Sequence, residues 1–171
     1  MIKSEHHPQF FTATILEWKH LLKEDKYKDL LLQSLHFLVK EKRVVVNSFV
    51  LMSNHIHLIW QAINEFTPQQ IQQSFLKYTA QQIKFDLQKN NQRLLEEFRV
   101  SAKDRTFQIW ERNSLSIDLN NEEVYLQKEN YIHYNPVKAG LCRLPEEYHY
   151  SSARYYETLV DDFGFLIHWR E

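Results

Sequence analysis

Two histidines separated by one residue, His55 and His57, lie in an apolar run that covers residues 49–60. In a β-strand successive side chains point to opposite faces, so both imidazoles are expected on the same side of a strand. The apolar residues between and after them are expected on the other side, in a core; they are Ile56, Leu58 and Trp60. Two imidazoles at this spacing can hold one metal ion.

A second pair of chemically capable residues, Tyr131 and Asn135, lies four positions apart, which places both on one face of a helix. A metal pair, a further oxygen ligand and a phenol nucleophile together suggest phosphodiester chemistry on nucleic acid. Taken singly, each residue has an ordinary structural explanation. The histidines could occupy the wet face of a strand, Tyr131 could pack under its helix, and Asn135 could end a helix before Pro136.

Composition limits the alternatives. A chain of 171 residues with 43% hydrophobic residues is typical of one folded domain, here taken as residues 1–171. Only two glycines are present, which excludes glycine-rich phosphate loops. The single cysteine, Cys142, excludes an internal disulfide and suggests a reducing compartment. The first eight residues carry no apolar signal-peptide core and no stretch reaches about 20 apolar residues, so we expect a cytoplasmic protein with no membrane partner.

Charge alone does not decide for or against a nucleic-acid partner. The formal net charge of −1 argues mildly against one, because proteins that bind DNA without sequence preference are usually basic. The segment from Lys77 to Arg112 is locally positive, with eight basic and five acidic residues, whereas the chain after Gly140 is acidic.

Hydrophobic periodicity and turn residues predict the order of the elements. The first part of the chain is expected to begin with a strand over Gln9–Trp18 and a helix over Asp25–Lys42. Two strands follow, over Arg43–Met52 and His55–Ala62, and Ser53–Asn54 forms a tight connection between them. Thr67, Pro68 and Gln70 predict a capped helix start, and that helix continues to about Lys89 with Leu76, Ala80, Ile83 and Leu87 as its apolar stripe. In the later part, a short helix or ordered loop is expected over Asn90–Lys103, followed by a fourth strand over Thr106–Trp110. A helix is then expected over Glu122–Tyr134. It stops or breaks at Pro136 and Gly140, and an aromatic tail begins at Tyr148.

This order predicts an α+β fold of the ferredoxin-like type: an antiparallel β-α-β-β-α-β sheet with two helices on one face. An additional C-terminal helix and the aromatic tail follow. The other face of the sheet is expected to be free for a site.

The chain resembles the single-tyrosine HUH transposases, especially the small REP-associated tyrosine transposases and related insertion-sequence transposases. Residues 51–59 resemble the metal-binding strand of that family, and residues 131–141 resemble its catalytic helix and the exit from it. Residues 148–152 resemble the segment that follows, and Trp110-Glu111-Arg112 resembles the strand end before the catalytic helix. The resemblance covers most of the chain in the family's order.

The resemblance implies a role for each matching residue. His55 and His57 would be the metal ligands, Tyr131 the nucleophile and Asn135 the third ligand. Asparagine is shorter than the glutamine of other members, so direct ligation and contact through water both remain open. DNA-contacting positions would be Lys77, Lys84, Arg112 and His133, although His133 could instead be a packing residue.

The resemblance also implies a mechanism and partners. The ion would be Mg²⁺ or Mn²⁺, and it would polarise the scissile phosphate. Tyrosine would displace a 3′-hydroxyl and keep the 5′-phosphate as a phosphotyrosine, which a second 3′-hydroxyl can attack to rejoin strands without ATP. The substrate would be single-stranded DNA, often beside a hairpin or a repeat. Some relatives are dimers that exchange the catalytic helix and others are monomers, so a homodimer is one open possibility.

Three alternatives remain from the sequence. The first is a domesticated DNA-repeat-binding protein without catalytic activity, which the presence of all four site residues argues against. The second is a relaxase or replication initiator, which the short chain and the single candidate tyrosine disfavour. The third is a phosphodiesterase that uses the metal to activate water and does not need Tyr131.

Overall fold

The structure of the chain, a computed structural model, describes residues 5–171. The first four residues, part of the segment predicted to lack a signal-peptide core, lie outside the described residues. Four strands form one sheet in the order β2-β3-β1-β4. Their bounds are β1 Gln9–Thr14, β2 Val44–Leu51, β3 His55–Ala62 and β4 Leu115–Asp118. Every neighbouring pair is antiparallel, which confirms the predicted ferredoxin-like fold.

Two helices, α1 (Asp25–Lys40) and α2 (Pro68–Asn90), cover one face of the sheet. The start of α2 carries the predicted capping box: the Thr67 side chain accepts from the Gln70 backbone amide, and the Gln70 side chain accepts from the Thr67 amide. The main core lies between these helices and the sheet. It includes the strand residues Ile56, Leu58 and Trp60, so the alternation predicted for β3 is confirmed. No helix within residues 5–171 is both long and apolar enough to cross a bilayer.

The fourth strand differs from the prediction. It is formed by Leu115–Asp118 and pairs with β1, whereas the predicted segment Thr106–Trp110 makes only isolated bridges through Phe107 and Trp110. The segment does not join the sheet as a strand. Its Ile109 and Trp110 side chains are buried beside the end of β1. The true β4 is short, largely exposed and carries little apolar signal.

Two further bounds are corrected. The first strand ends at Thr14, and a 3-10 turn at Leu16–Trp18 follows it. In the segment predicted as a short helix or ordered loop, a short helix, α3, covers Gln92–Glu96. Helix α4 spans Glu122–Lys138 and runs through Pro136, which was expected to stop or break it. It ends at Gly140 in a Schellman arrangement: the Gly140 amide donates to Val137, the Leu141 amide donates to Pro136, and Gly140 has φ +72°.

The sequence had suggested that the second face of the sheet is free. In the structure α4 packs across part of this face. Tyr125 and Ile132 of α4 form a small second core with residues of β1, β2, β3 and the chain after β4: Phe10, Val50, Met52, Ile59 and Leu119. Glu129, also buried on α4, accepts a hydrogen bond from Ser48 of β2 at 3.0 Å. This packing fixes which face of α4 meets the two histidines.

The outer edge of β2 is covered by the C-terminal tail. The Leu51 amide donates to the Tyr150 carbonyl, the Ser152 amide donates to Phe49, and the Ile167 amide donates to Val46. The aromatic tail therefore packs back on the body, and it adds α5 (Ala153–Thr158) between these contacts. This pairing with the protein's own tail leaves fewer hydrogen-bonding groups of the edge free for another molecule.

Truncating Ile132 to alanine is expected to loosen α4 selectively. Its side chain is fully buried in the small second core, so the substitution should lower the free energy of unfolding by about 2–5 kcal/mol. Leu87→Ala in the main core is a matched control, because that side chain is also buried but on α2. Hydrogen exchange read by mass spectrometry should show the larger loss of amide protection in α4 for Ile132→Ala and in α2 for Leu87→Ala. If each variant lost the same amount of amide protection in α2 and in α4, the existence of two separate cores would be contradicted.

Candidate active site

His57 lies on β3, opposite Thr12 of β1, with its ring turned toward the second face of the sheet. Its Nδ1 is hydrogen-bonded to Thr12 Oγ1 at 2.7 Å. Its Nε2 is buried and has no hydrogen-bond partner among residues 5–171. A buried polar atom without a partner costs free energy, and such an atom commonly marks the position of a missing ion or ligand.

His55 begins β3 and lies on the same side of the strand, with its ring centroid 4.8 Å from that of His57. Its Nδ1 donates to the Asn54 side-chain oxygen at 2.7 Å. The Asn135 side chain also hydrogen-bonds this ring. In both histidines, therefore, a neighbouring side chain holds Nδ1 and orients the ring.

Tyr131 and Asn135 reach the histidines from α4 of the same chain. The Tyr131 ring centroid is 5.1 Å from that of His57, in an edge-to-face arrangement, and 6.1 Å from that of Phe10. The tyrosine side chain is 42% exposed, so a large substrate can reach it. The structure thus brings together the four residues that the sequence placed in one site: His55, His57, Tyr131 and Asn135.

Both imidazoles are held in the neutral form. Burial, followed by the charges of His55 and Lys128, lowers the pKa of His57 to about 3. Burial lowers the pKa of His55 as well, and the Asn135 hydrogen bond partly opposes this shift. Neutral imidazole is the form that binds metal ions, so neither ring has to lose a proton first at pH 7.

These residues fit a divalent metal ion. Two neutral imidazoles, one with a buried Nε2 that has no hydrogen-bond partner in the described part of the chain, face a carboxamide that already contacts one of them. No group of three histidine, cysteine or carboxylate side chains converges anywhere in residues 5–171, so the ligand set here would be two imidazoles and one carboxamide. A mixed set of imidazole nitrogen and amide oxygen can hold a divalent ion, and imidazoles alone also accept Zn²⁺.

Two lysines of α4 lie beside the site, and the sequence reasoning missed both. Lys128 Nζ is 4.8 Å from the Phe10 ring centroid, and its charge acts on His57. Lys138 Nζ is 5.8 Å from the Tyr131 ring centroid. Their positions three residues before and seven residues after Tyr131 place them on its helix face, so helical spacing could have identified them. They provide positive charge beside Tyr131 and His57.

The basic residues predicted to contact DNA lie elsewhere, along one groove. Lys77 and Lys84 of α2 line a cleft of about 680 Å³ together with Arg105 and Arg112. Asp104 offsets part of this charge, because it pairs with Arg105 at 2.6 Å and with Arg112 at 3.2 Å. The cleft also reaches Glu111, whose amide donates to the carbonyl of Thr14 at the end of β1. Thr14 in turn pairs with His55, so β1 links this end of the groove to the start of β3.

His133 is corrected from a candidate DNA contact to a packing residue. Its side chain is only 8% exposed, and its Nε2 is hydrogen-bonded to Ser152 Oγ at 2.9 Å. Burial lowers its pKa to about 4. His133 therefore holds α4 to the tail that covers β2, and the packing alternative is the one that the structure supports.

The turn after β1 has a conformation that the sequence did not indicate. Glu17 and Trp18 both have positive φ, 54° and 57°, although neither is glycine. This left-handed region costs non-glycine residues about 1–2 kcal/mol each, so surrounding contacts must hold it. Trp18 is 60% exposed, and its ring centroid is 5.9 Å from that of His55.

The stability of the metal-free protein is expected to fall as the pH decreases from about 6.5 toward 4. His57 and His133 stay neutral in the folded state, with pKa values of about 3 and 4, whereas the unfolded chain takes up protons near 6.5. The loss from pH 6.5 to 5 should be about 2 kcal/mol per histidine. Glu129 opposes it in part, because burial raises the pKa of that carboxyl and favours protonation of the folded state.

Urea unfolding in EDTA at pH 7, 6 and 5 measures this dependence. His133→Asn should flatten the curve, and the exposed His36→Asn should leave its slope unchanged. A free energy of unfolding independent of pH over this range would contradict the prediction.

Comparison with known proteins gives the family. A family model described as "Transposase IS200 like" matches residues 9–112, more than half of the chain. The matched part contains the histidine pair and the groove lysines, and Tyr131 and Asn135 lie beyond it. No curated protein matches the chain.

Two solved structures are similar to this one. The structure of the REP-associated tyrosine transposase bound to a REP hairpin has a TM-score of 0.64 and 18% identity, and the match covers 92% of this chain and 83% of that one. A transposase candidate from Deinococcus radiodurans R1 has a TM-score of 0.48 and 13% identity, over 73% of this chain and 87% of that one. The first of these shows a shared fold, and the family match over residues 9–112 confirms the resemblance seen in the sequence: the protein belongs to the IS200-like transposase family.

Proposed function

We propose that this transposase nicks and rejoins single-stranded DNA, with Tyr131 as the nucleophile and a divalent ion held by His55, His57 and Asn135. The observation that carries the proposal is the position of the Tyr131 ring, 5.1 Å from His57, whose buried Nε2 has no hydrogen-bond partner within residues 5–171. A phenol beside two neutral imidazoles supports transfer of a phosphoryl group to the protein rather than to water.

The tyrosine step balances without any other reactant. The Tyr131 oxygen attacks phosphorus, the bond from phosphorus to the 3′-oxygen breaks, and the phenol proton ends on the released 3′-hydroxyl. The 5′-phosphate stays on Tyr131 as a phosphodiester. Attack by another 3′-hydroxyl reverses the step and rejoins strands, so no nucleotide cofactor is needed.

The surrounding residues position and charge the site. His55, His57 and Asn135 would hold Mg²⁺ or Mn²⁺, which when bound supplies Lewis-acid polarisation of the scissile phosphate. Thr12 and Asn54 fix the imidazole rings through Nδ1. Lys128 and Lys138 add positive charge beside the phosphate, where negative charge builds up during transfer.

The DNA strand is proposed to follow the groove of Lys77, Lys84 and Arg112 toward the histidine pair. These side chains can contact phosphates regardless of sequence. The similar solved structure holds a REP hairpin, which supports a hairpin or repeat next to the single strand in this protein too. We further propose that residues 1–171 act as one domain. Because Tyr131 lies beside the histidines of its own chain, exchange of α4 in a homodimer is not needed to complete the site.

The test is a covalent-adduct assay. The protein is incubated with Mn²⁺ and single-stranded DNA from the flanks of its own gene, labelled at either end, and run on a denaturing gel. A shifted protein–DNA band should carry the 3′ label only, and the 5′ label should appear on a shorter free strand. Free products from both ends without a shifted band would indicate a phosphodiesterase that uses water. Binding without cleavage across flanks and metals would indicate a DNA-repeat-binding protein.

A further inference from the structure

We propose that Trp18 is a stacking platform for one unpaired nucleobase, immediately beside the histidine pair. The inference rests on the proposed function in one respect, namely that a single DNA strand passes these histidines. It assigns a base-binding role to a residue that lies outside the groove and the metal-binding set.

The position and exposure of Trp18 carry the proposal. Its ring lies 5.9 Å from the His55 ring, at 63° to it, and 60% of the residue is exposed. Trp60 and Trp110, by contrast, are almost completely buried in the main core. A large aromatic surface is thus presented to solvent at the point where the chemistry would occur. Stacking on such a surface accepts any base, since every base has a π-face.

The backbone is held in the conformation that presents this ring. The Trp18 amide donates to the Ile15 carbonyl at 2.9 Å, and the Asn54 side-chain amide donates to the Trp18 carbonyl at 3.4 Å. The Glu17 amide donates to the Glu111 side chain at 2.6 Å. One contact within the turn and two from distant parts of the chain therefore stabilise a left-handed turn that the sequence alone would avoid.

Two of these contacts connect the platform to the rest of the site. Asn54 binds the Trp18 carbonyl through its nitrogen and His55 Nδ1 through its oxygen, so one side chain contacts both the Trp18 backbone and the His55 ring. Glu111 lies at the end of the basic groove and holds the turn from the other side. A strand leaving the groove toward the histidines would meet the Trp18 ring on this path.

Binding of short DNA without metal tests the platform apart from catalysis. A fluorescent twelve-nucleotide oligothymidylate and an abasic strand of equal length are titrated in EDTA into wild type, Trp18→Ala, Trp18→Leu and Trp18→Phe. Alanine and leucine should weaken oligothymidylate binding about tenfold, within the roughly five- to 150-fold range that one stacked base provides. Phenylalanine should retain most of the affinity. Affinity for the abasic strand should be the same for all four proteins.

The controls separate base stacking from other roles of Trp18. Phe37→Ala removes an exposed aromatic ring of α1 near the opposite end of the sheet and should change neither affinity. The salt dependence of binding should be equal in wild type and Trp18→Ala, because the phosphate contacts are unchanged. Equal losses on both strands, or no loss on oligothymidylate, would overturn the proposal. So would a dimer, seen by analytical ultracentrifugation, that Trp18→Ala dissociates without affecting DNA binding.

The outcome is also distinct from failure of the proposed function. A protein that forms no covalent adduct but shows the base-dependent loss in Trp18→Ala would keep the platform and lose the tyrosine mechanism. A protein that forms the adduct while Trp18→Ala binds and cleaves like wild type would keep the mechanism and lose the platform.

Discussion

Replacing Tyr131 with phenylalanine should abolish the covalent protein–DNA adduct and reduce cleavage on the order of 10³-fold or more. The substitution removes one oxygen atom and keeps the ring that contacts His57 and Phe10. Helix packing should therefore be unchanged, and affinity for single-stranded DNA should stay within about twofold. The measurement is the denaturing gel with 3′-labelled DNA, together with a binding titration of the same strand.

Tyr134→Phe is the matched control, because Tyr134 lies three residues later on α4 and is similarly exposed, at 49%. It should form the adduct at the wild-type rate. If Tyr131→Phe still formed the adduct and Tyr134→Phe did not, the nucleophile would be Tyr134. If both variants cleaved normally without an adduct, the phenol would have no part in the reaction.

Replacing His57 with alanine should remove metal-dependent cleavage by weakening Mn²⁺ binding at least about tenfold. Within residues 5–171 this ring supplies a buried Nε2 without a hydrogen-bond partner, and it is one of the two imidazoles of the site. Free Mn²⁺ measured by electron paramagnetic resonance during a titration gives the affinity directly. Cleavage assayed at increasing Mn²⁺ should recover only in part, because Asn135 and one imidazole remain.

Thr12→Val separates orientation of the ring from ligation. It removes the hydroxyl bonded to His57 Nδ1 but leaves Nε2 in place, so Mn²⁺ affinity should fall about 10-fold to 100-fold and saturating metal should restore the rate. His36→Ala, an exposed histidine of α1, should bind Mn²⁺ like wild type. Unchanged Mn²⁺ affinity in His57→Ala would exclude this histidine as a ligand.

The parts of the fold that the sequence predicted are those where local patterns and tertiary packing agree. Alternation over His55–Ala62 identified both the buried face of β3 and the shared face of the histidines, since a strand with one face in a core has only one acceptable register. The start of α2 was predictable because the capping box is satisfied by residues three apart in sequence.

The parts that the sequence did not predict depend on contacts distant along the chain. The conformation of Trp18 is imposed by Asn54 and Glu111, and no local signal encodes it. His133 became a packing residue because Ser152 of the tail meets it. Helix α4 continues through Pro136 because Ile132, one turn earlier, is buried against the sheet and Pro136 is itself buried, and Gly140 then caps the helix. Tertiary packing outweighs the lost backbone hydrogen bond there.

The pairing of the tail with β2 has a consequence for defective copies of the gene. A stop codon anywhere between Tyr148 and Ile167 would leave part of the outer strand of the sheet without its backbone partners. Such products should associate through the exposed edge and be cleared by cellular quality control. Late truncations of this gene are therefore expected to behave as simple losses of function, and they should not compete with an intact transposase for its DNA.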